Sequence, residues 1–282
     1  MGITSSSVLV ELNISVWTAN KLDRAETDKV TATNNAGSGA AKVHKNLMAG
    51  TSLRKDIANF AAICRARHNS LTLPWADRGG RLLPTSLFMD YKTEFNAVRD
   101  KFNAMVDEFI DKYPALVQTA QNYMGNLFDP ADYPDVNVVR NAFGFRLVFS
   151  PVPESNDFRL NVSASDLAEL ADQYEVNFAS RMADAMKEPW DRLHKMLTGM
   201  SEKLTDQVGK DKRYHDSLVD NAVDLCGMLT HLNIAKDPKL EEARQQLEAA
   251  LVGASMDMIK ESPSVRADMK GKVDSILKQF EW

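Results

Sequence analysis

The chain has 282 residues, of which 44% are hydrophobic and 26% charged, and its formal net charge is −5. This globular composition and acidic balance give no reason to expect general binding to nucleic acid or to an anionic membrane. Two cysteines exclude a disulfide framework or a zinc site, and no apolar run approaches the roughly 20 residues of a membrane span. We therefore expect a cytoplasmic protein with one helical domain, 1–282, and a possible subdivision into 1–165 and 166–282.

A β-strand is predicted at the start of the chain. Apolar side chains fill every second position from Val8 to Val16, and the positions between them hold Leu9 and three polar residues, as in a half-buried strand. Beyond it, the pattern predicts the start of a helix over 20–30, a flexible loop over 31–41, and helices over 40–48 and 51–67.

The segment from Pro74 to Pro84 is predicted to form an ordered loop, because it is bounded by prolines and contains Gly79-Gly80. It combines tryptophan and arginine, which dominate interface hot spots. The predicted protein-interaction residues are Trp75, Asp77, Arg78 and Arg81. The alternative interpretation is that Trp75 fills the core and the arginines brace a hairpin turn through Asp157 or Asp132.

The stretch from Lys42 to Arg81 is locally basic within an acidic protein. Such a surface can contact phosphates, with binding that weakens steeply as salt rises. The candidate nucleic-acid residues are Lys42, Lys45, Arg54, Lys55, Arg65 and Arg67. The alternative is that these cations pair with acidic helices of the protein or of a partner.

A long helix is predicted from Phe88 onwards. Aromatic and aliphatic residues recur every three or four positions through Phe109 and continue less regularly to Leu127. A helix packed in a bundle and a self-associating coiled coil both have this spacing. Pro114 is expected to bend or break the helix near Tyr113.

A β-hairpin is predicted in the middle of the chain. Phe143, Phe145, Leu147 and Phe149 alternate along one strand, and Phe158, Leu160 and Val162 alternate along a second. A two-stranded hairpin is marginal in water, so the N-terminal strand is expected to pair with it. An alternative role for this hydrophobic hairpin is a tongue that inserts into a membrane.

The remainder of the chain is predicted to be helical. Ser165-Asp166 is expected to cap a second long helix that runs to Leu204, with a kink at Pro189. Three further helices are predicted over 211–232, 238–261 and 263–280.

The sequence contains none of the common catalytic motifs. The five histidines do not fall at metal-ligand spacing, and neither a nucleophile elbow nor a phosphate-binding loop is present. We therefore expect no enzymatic activity, no cofactor and no metal site.

Several short motifs together resemble a family of phage and mobile-element proteins, the DUF3150 group. They lie at Val10–Trp17, Leu73–Trp75, Arg81–Pro84, Asp132–Pro134 and Asp157–Leu160. Proteins of this family resemble proteins whose genes lie beside those of a cobaltochelatase-like AAA+ ATPase and of a von Willebrand A-type protein. The resemblance implies a bacteriophage accessory or adaptor protein in the host cytoplasm, with an AAA+ ATPase as a possible partner.

Taken together, the sequence predicts a mainly α protein with long antiparallel helices and a small three-stranded antiparallel sheet. The expected function is that of a non-enzymatic interaction protein, an adaptor or oligomeric scaffold that binds a protein partner or itself. The alternatives are a nucleic-acid-binding accessory factor and a membrane-acting helical protein.

Overall fold

The structure, a computed structural model, describes residues 3–76, 79–154, 163–205, 217–280 and 282. Long helices dominate and the strands are short, which confirms the predicted mainly α fold with a small antiparallel sheet. The helices are α1 Ile3–Ser6, α2 Arg24–Thr33, α3 Leu53–Leu71, α4 Phe88–Met124, α5 Val136–Asn141, α6 Ala164–Leu204, α7 Ser217–Leu232, α8 Pro238–Leu251, α9 Met256–Glu261 and α10 Pro263–Gln279. The strands are β1 Ser7–Ser15, β2 Asn20–Asp23, β3 Val43–Asn46, β4 Leu73–Pro74, β5 Arg81–Pro84 and β6 Gly144–Ser150.

The larger sheet has the strand order β4-β5-β1-β6, so the N-terminal strand lies inside it. Its pairing with β6 confirms the predicted partnership between the N-terminal strand and the first hairpin strand. The second predicted hairpin strand, at 158–162, lies outside the described residues. The loop predicted between Pro74 and Pro84 is wrong in part, because both its ends are strands: Leu73 pairs with Leu82, and Ser7 with Pro84. Pro74 lies on β4, at the edge of this sheet, where proline is tolerated, and Pro84 is the last residue of β5.

A second sheet pairs β2 with β3, from Asn20 opposite Asn46 to Asp23 opposite Val43. The helix predicted over 20–30 is therefore wrong in part, because its first residues form β2. The helix predicted over 40–48 is wrong, because this segment contains β3. The helix α2 begins only at Arg24, where the side chain of Asp23 accepts a hydrogen bond from the Glu26 amide at 3.0 Å. Four-residue strands are too short for periodicity to reveal, and pairing decides their conformation.

The chain forms two compact units, each with its own core. Unit 1 comprises residues 1–11, 69–91 and 148–282, and unit 2 comprises residues 12–68 and 92–147. Both units draw on sequence from before residue 165. The elements β1, α3, α4 and β6 each contribute residues to both units.

The core of unit 2 is aromatic. Phe109 of α4 lies 5.6 Å from Phe143 and 6.2 Å from Trp17, measured between ring centroids. Burial of these side chains confirms the interpretation of α4 as a packed bundle helix and leaves this face unavailable for a coiled coil. Of the two effects expected at Pro114, a bend or a break, the break is wrong, because α4 continues to Met124.

The largest core of unit 1 lies among α6, α7, α8 and α10. Leu193, Leu197 and Met200 of α6 are fully buried there. The second long helix is confirmed, although its N-cap is Ser163 and not Ser165-Asp166. The helix predicted over 238–261 is instead two helices, α8 and α9, and the last predicted helix is confirmed as α10. The start predicted for α7, at 211, lies outside the described residues.

Candidate functional site

Trp75 lies in the core of unit 1. Its side chain is only 7% exposed, and its ring is 5.2 Å from that of Phe178 in α6. It packs in a cluster that also contains Leu73 and Leu82. This is the placement that the alternative interpretation expected. Asp77 and Arg78 lie outside the described residues.

Arg81 belongs to a hydrogen-bonded network within unit 1. Its Nε donates to the hydroxyl of Thr72 at 2.7 Å, and its guanidinium pairs with Glu188 at 3.2 Å. Glu188 also pairs with Arg192 of the same helix, α6. Arg81 is therefore held by Thr72 and Glu188, and Asp132 pairs with Lys45. Asp157, the other expected partner, lies outside the described residues.

Arg192 caps the C-terminus of α3. Its guanidinium donates to the carbonyl oxygens of Asn69, Ser70 and Thr72 at 2.6, 2.7 and 3.2 Å. The last carbonyls of a helix have no partner inside the helix, so an arginine from elsewhere can satisfy them. The network of Arg81, Glu188 and Arg192 thus has a structural role in unit 1.

Two of the predicted nucleic-acid residues form ion pairs inside unit 2. Lys45 pairs with Asp132 and, at 3.7 Å, with Asp23; the hydrogen bond to Asp132 raises the pKa of Lys45. Arg67 makes a two-bond contact with Glu94, at 2.7 and 3.0 Å, and this contact raises the pKa of Arg67.

Two more of these cations bond to backbone carbonyls at the end of β1 and just beyond it. Arg54 donates to Trp17 O at 3.0 Å, and Arg65 to Ile14 O at 2.7 Å. Lys42 and Lys55 are exposed. Four of the six predicted residues are therefore engaged within unit 2, in agreement with the alternative of internal pairing.

A hollow in unit 2 is the strongest candidate for a binding site. It lies between α2, β3 and the end of α4, and its volume is about 370 Å³. We call it the α2–α4 groove. Its apolar lining residues are Val30, Val43, Ala49, Tyr123, Met124 and Leu127, and its polar ones are Asp23, Glu26, His44, Lys45 and Asn46.

Local hydrogen bonds fix the walls of the groove. The Thr27 hydroxyl donates to Asp23 O at 2.6 Å and accepts from the Val43 amide at 3.0 Å, which ties α2 to β3. Gly50 has a φ of +85°, and a Cβ there would lie 3.3 Å from the Tyr123 ring. Glycine therefore lets the chain turn next to that ring.

Large apolar side chains are unusually exposed around this groove. Tyr123 is 71% exposed, Leu127 45% and Val30 39%, and all three line the groove. Single exposed apolar residues are normal, but a contiguous group beside a concave surface is typical of an interaction site.

The charges at the groove largely compensate each other. Lys45 is paired with two aspartates, and Glu26 is paired with Lys29 at 2.5 Å. Chemically, the groove is suited to an apolar or aromatic side chain, with polar groups at its edge.

The sequence pattern does not predict this groove. Tyr123 and Leu127 continue the helical stripe of α4, which for most of its length is a core pattern. Whether the end of this stripe is exposed depends on where β2 and β3 fold, and the sequence predicts helices, not strands, for both of those segments.

The hydrophobic hairpin proposed as a membrane tongue is engaged in the fold as far as it is described. Phe143 is buried in unit 2, and Phe149 lies 5.1 Å from Phe88 in unit 1. Among the described residues, none of the helices is long and apolar enough to traverse a bilayer. In the same part of the chain, histidine, cysteine and carboxylate side chains do not gather in groups of three or more that could hold a metal ion.

Comparison with models of known families, with curated proteins and with solved structures finds no match for this chain. The resemblance to the DUF3150 group therefore stays a prediction.

Proposed function

We propose that the protein is a non-enzymatic interaction protein, an adaptor or scaffold, that binds a protein partner through the α2–α4 groove. One observation carries the proposal: the exposed side chains of Tyr123 and Leu127 flank a hollow of about 370 Å³. Exposed tyrosines beside a concave surface are frequent anchors of protein interfaces.

The energetics favour an apolar contact. Full burial of a leucine or phenylalanine side chain contributes about 1.5–3 kcal/mol, and the groove offers several apolar partners for such a side chain. Its charged neighbours are already paired, so a partner need not supply charges of its own. Because hydrogen bonds hold α2 to β3, the groove is formed before binding and little conformational entropy is lost.

The partner is expected to present a protruding apolar or aromatic side chain. An AAA+ ATPase is the partner that the family resemblance implies, and it stays the first protein to test.

The nucleic-acid alternative has weaker support, because most of its predicted cations are engaged within unit 2. Reversing Arg65 or Arg67 would break contacts to Ile14 or Glu94 and disturb the fold. Lys42→Glu with Lys55→Glu is the cleaner test, since both side chains are exposed. Salt-sensitive DNA binding that this double variant abolishes would favour the alternative.

Site-specific photo-crosslinking tests the proposal. A benzophenone amino acid replaces Tyr123 in one variant and Val138, which is 60% exposed and lies outside the groove, in the control. We expect a discrete protein adduct at position 123, absent at position 138 and lost when Leu127→Lys is added. An adduct that survives Leu127→Lys, or that forms equally at position 138, would contradict the proposal.

A further inference from the structure

The two units carry opposite net charge. Unit 1 contains 27 acidic and 19 basic residues, and unit 2 contains 12 acidic and 15 basic residues, so their formal charges are −8 and +3. An acidic surface of one copy is therefore electrostatically complementary to a basic surface of another copy.

The acidic surface with the clearest definition is the first half of α6, residues 163–180. Its carboxylates Asp166, Glu169, Asp172 and Glu175 are exposed, and the range contains no lysine or arginine. The side-chain hydrogen bonds that Asp166 and Glu169 accept come from neutral groups, the Ser163 hydroxyl and the Gln173 amide, which leave their charge in place.

An exposed apolar side chain lies on the same acidic surface. Val176 is 72% exposed and follows Asp172 by four residues, so the two lie on one side of the helix. We call residues 163–180 of α6 the acidic face.

A basic counterpart lies on α3 in unit 2. Ile63 is 65% exposed, and it is flanked by the small exposed side chains of Ala62 and Ala66. Lys55 and Arg65 are exposed on the same helix, together with one exposed carboxylate, Asp56, and the bond of Arg65 is to a neutral carbonyl. We call residues 55–66 of α3 the basic face.

We propose that the basic face of one copy docks against the acidic face of the next copy, so that the protein self-associates head to tail. Such an interface joins two different patches and generates rings or open filaments. The acidic face is about 27 Å long and the basic face about 18 Å, which limits the contact to a small, weak interface. The inference rests on the proposed interaction function in its scaffold form but uses surfaces other than the α2–α4 groove.

Sedimentation velocity of the full, nuclease-treated chain provides the test. We expect the average mass to rise with protein concentration at about 0.1 M salt and to return to that of the monomer at about 1 M, where the Debye length falls from about 10 to about 3 Å. A protein that stays monomeric at low salt would overturn the proposal.

Two variants make the test specific. The first, Lys55→Glu with Ile63→Glu, disables the basic face, and the second, Asp172→Lys with Val176→Lys, disables the acidic face. All four side chains are exposed, so both variants should fold, which circular dichroism checks. Each variant alone should be monomeric, whereas an equimolar mixture should form dimers and nothing larger, because only one intact pair of faces remains.

Other outcomes are equally decisive. Persistent assembly in either variant, or a mixture that stays monomeric, would refute the head-to-tail arrangement. Leu127→Lys should assemble like the unaltered protein; if it does not, the groove is the contact between copies and the α3–α6 contact is wrong. Assembly that is seen only before nuclease treatment would overturn the proposal and indicate that Lys55 and Arg65 bind nucleic acid instead.

Discussion

At the scale of single residues, a buried tyrosine in unit 2 and a half-buried arginine in unit 1 are bonded to backbone carbonyls. Tyr113 in unit 2 donates from its hydroxyl to Pro134 O at 3.0 Å, and Arg192 in unit 1 donates to three carbonyls at the end of α3. A buried polar group without a partner is costly, so these bonds hold particular segments in place. For each of these two side chains we predict an effect on the free energy of unfolding.

Because of Tyr113, we expect the protein to lose stability in alkali. Burial raises the pKa of Tyr113 to about 12, above the value of about 10 for an exposed tyrosine. The folded state therefore holds this proton at a pH at which the unfolded chain has released it. This contribution to stability is complete below about pH 10 and declines by about 2–3 kcal/mol as pH rises to about 12.

Urea unfolding of the unaltered protein and of Tyr113→Phe at several pH values measures this effect. Phenylalanine cannot ionise, so the difference in unfolding free energy between the two proteins should shift in favour of the variant across that range. A difference that is independent of pH would show that Tyr113 ionises normally in the folded protein.

We expect the substitution Arg192→Met to cause a large loss of stability. Methionine retains much of the apolar stem but removes the donors to Asn69, Ser70 and Thr72, together with the pairing to Glu188. We expect the free energy of unfolding in urea to fall by about 2–4 kcal/mol. The control is Lys187→Met on the same helix, an exposed ion-pair residue whose loss should leave stability nearly unchanged. Similar losses in the two variants would contradict the assigned role of Arg192.

At the scale of secondary-structure elements, both long helices contain a proline and continue past it. Pro114 of α4 is exposed, whereas Pro189 of α6 is buried. Proline cannot donate its backbone hydrogen bond and is poorly accommodated inside a helix. The extensive packing of α4 in the aromatic core of unit 2 offsets that cost.

Pro114→Ala is therefore expected to stabilise the protein. Alanine is better than proline inside a helix by about 3 kcal/mol, and the gain in unfolded-chain entropy reduces this by up to about 1 kcal/mol. We expect the midpoint of thermal unfolding to rise, by an amount that corresponds to about 2 kcal/mol. Pro189→Ala should gain less or lose stability, since it removes buried ring atoms. A destabilised Pro114→Ala variant would mean that the proline ring makes contacts that α4 requires.

Long elements were predictable from the sequence, and short ones were not. The helices α4, α6 and α10 and the strand β1 carry patterns that extend over many residues, so local periodicity was sufficient. By contrast, β2, β3, β4 and β5 have two to four residues each and owe their conformation to partners distant in sequence. Proline and glycine near β4 and β5 also favoured a loop, although each proline is the last residue of its strand.

At the scale of the whole molecule, functional surfaces were harder to predict than the fold. Tryptophan and arginine in one loop indicated an interface, yet Trp75 is a core residue and Arg81 is part of a network around Glu188. Likewise, the local excess of cations between 42 and 67 is largely engaged with carboxylates and carbonyls of unit 2. The α2–α4 groove depends on exposure, and the sequence does not show where a helical stripe leaves the core.

The measurement that tests the central claim most directly is the affinity of the partner identified by crosslinking for two matched variants. Leu127→Lys places a charge at the groove, and Val138→Lys places the same charge on an exposed valine of unit 2 outside the groove. If the partner inserts an apolar side chain there, Leu127→Lys should weaken binding by about tenfold or more, which corresponds to about 1.4 kcal/mol. Val138→Lys should bind like the unaltered protein. Equal affinities for the two variants would contradict the assignment of the α2–α4 groove as the protein-binding site.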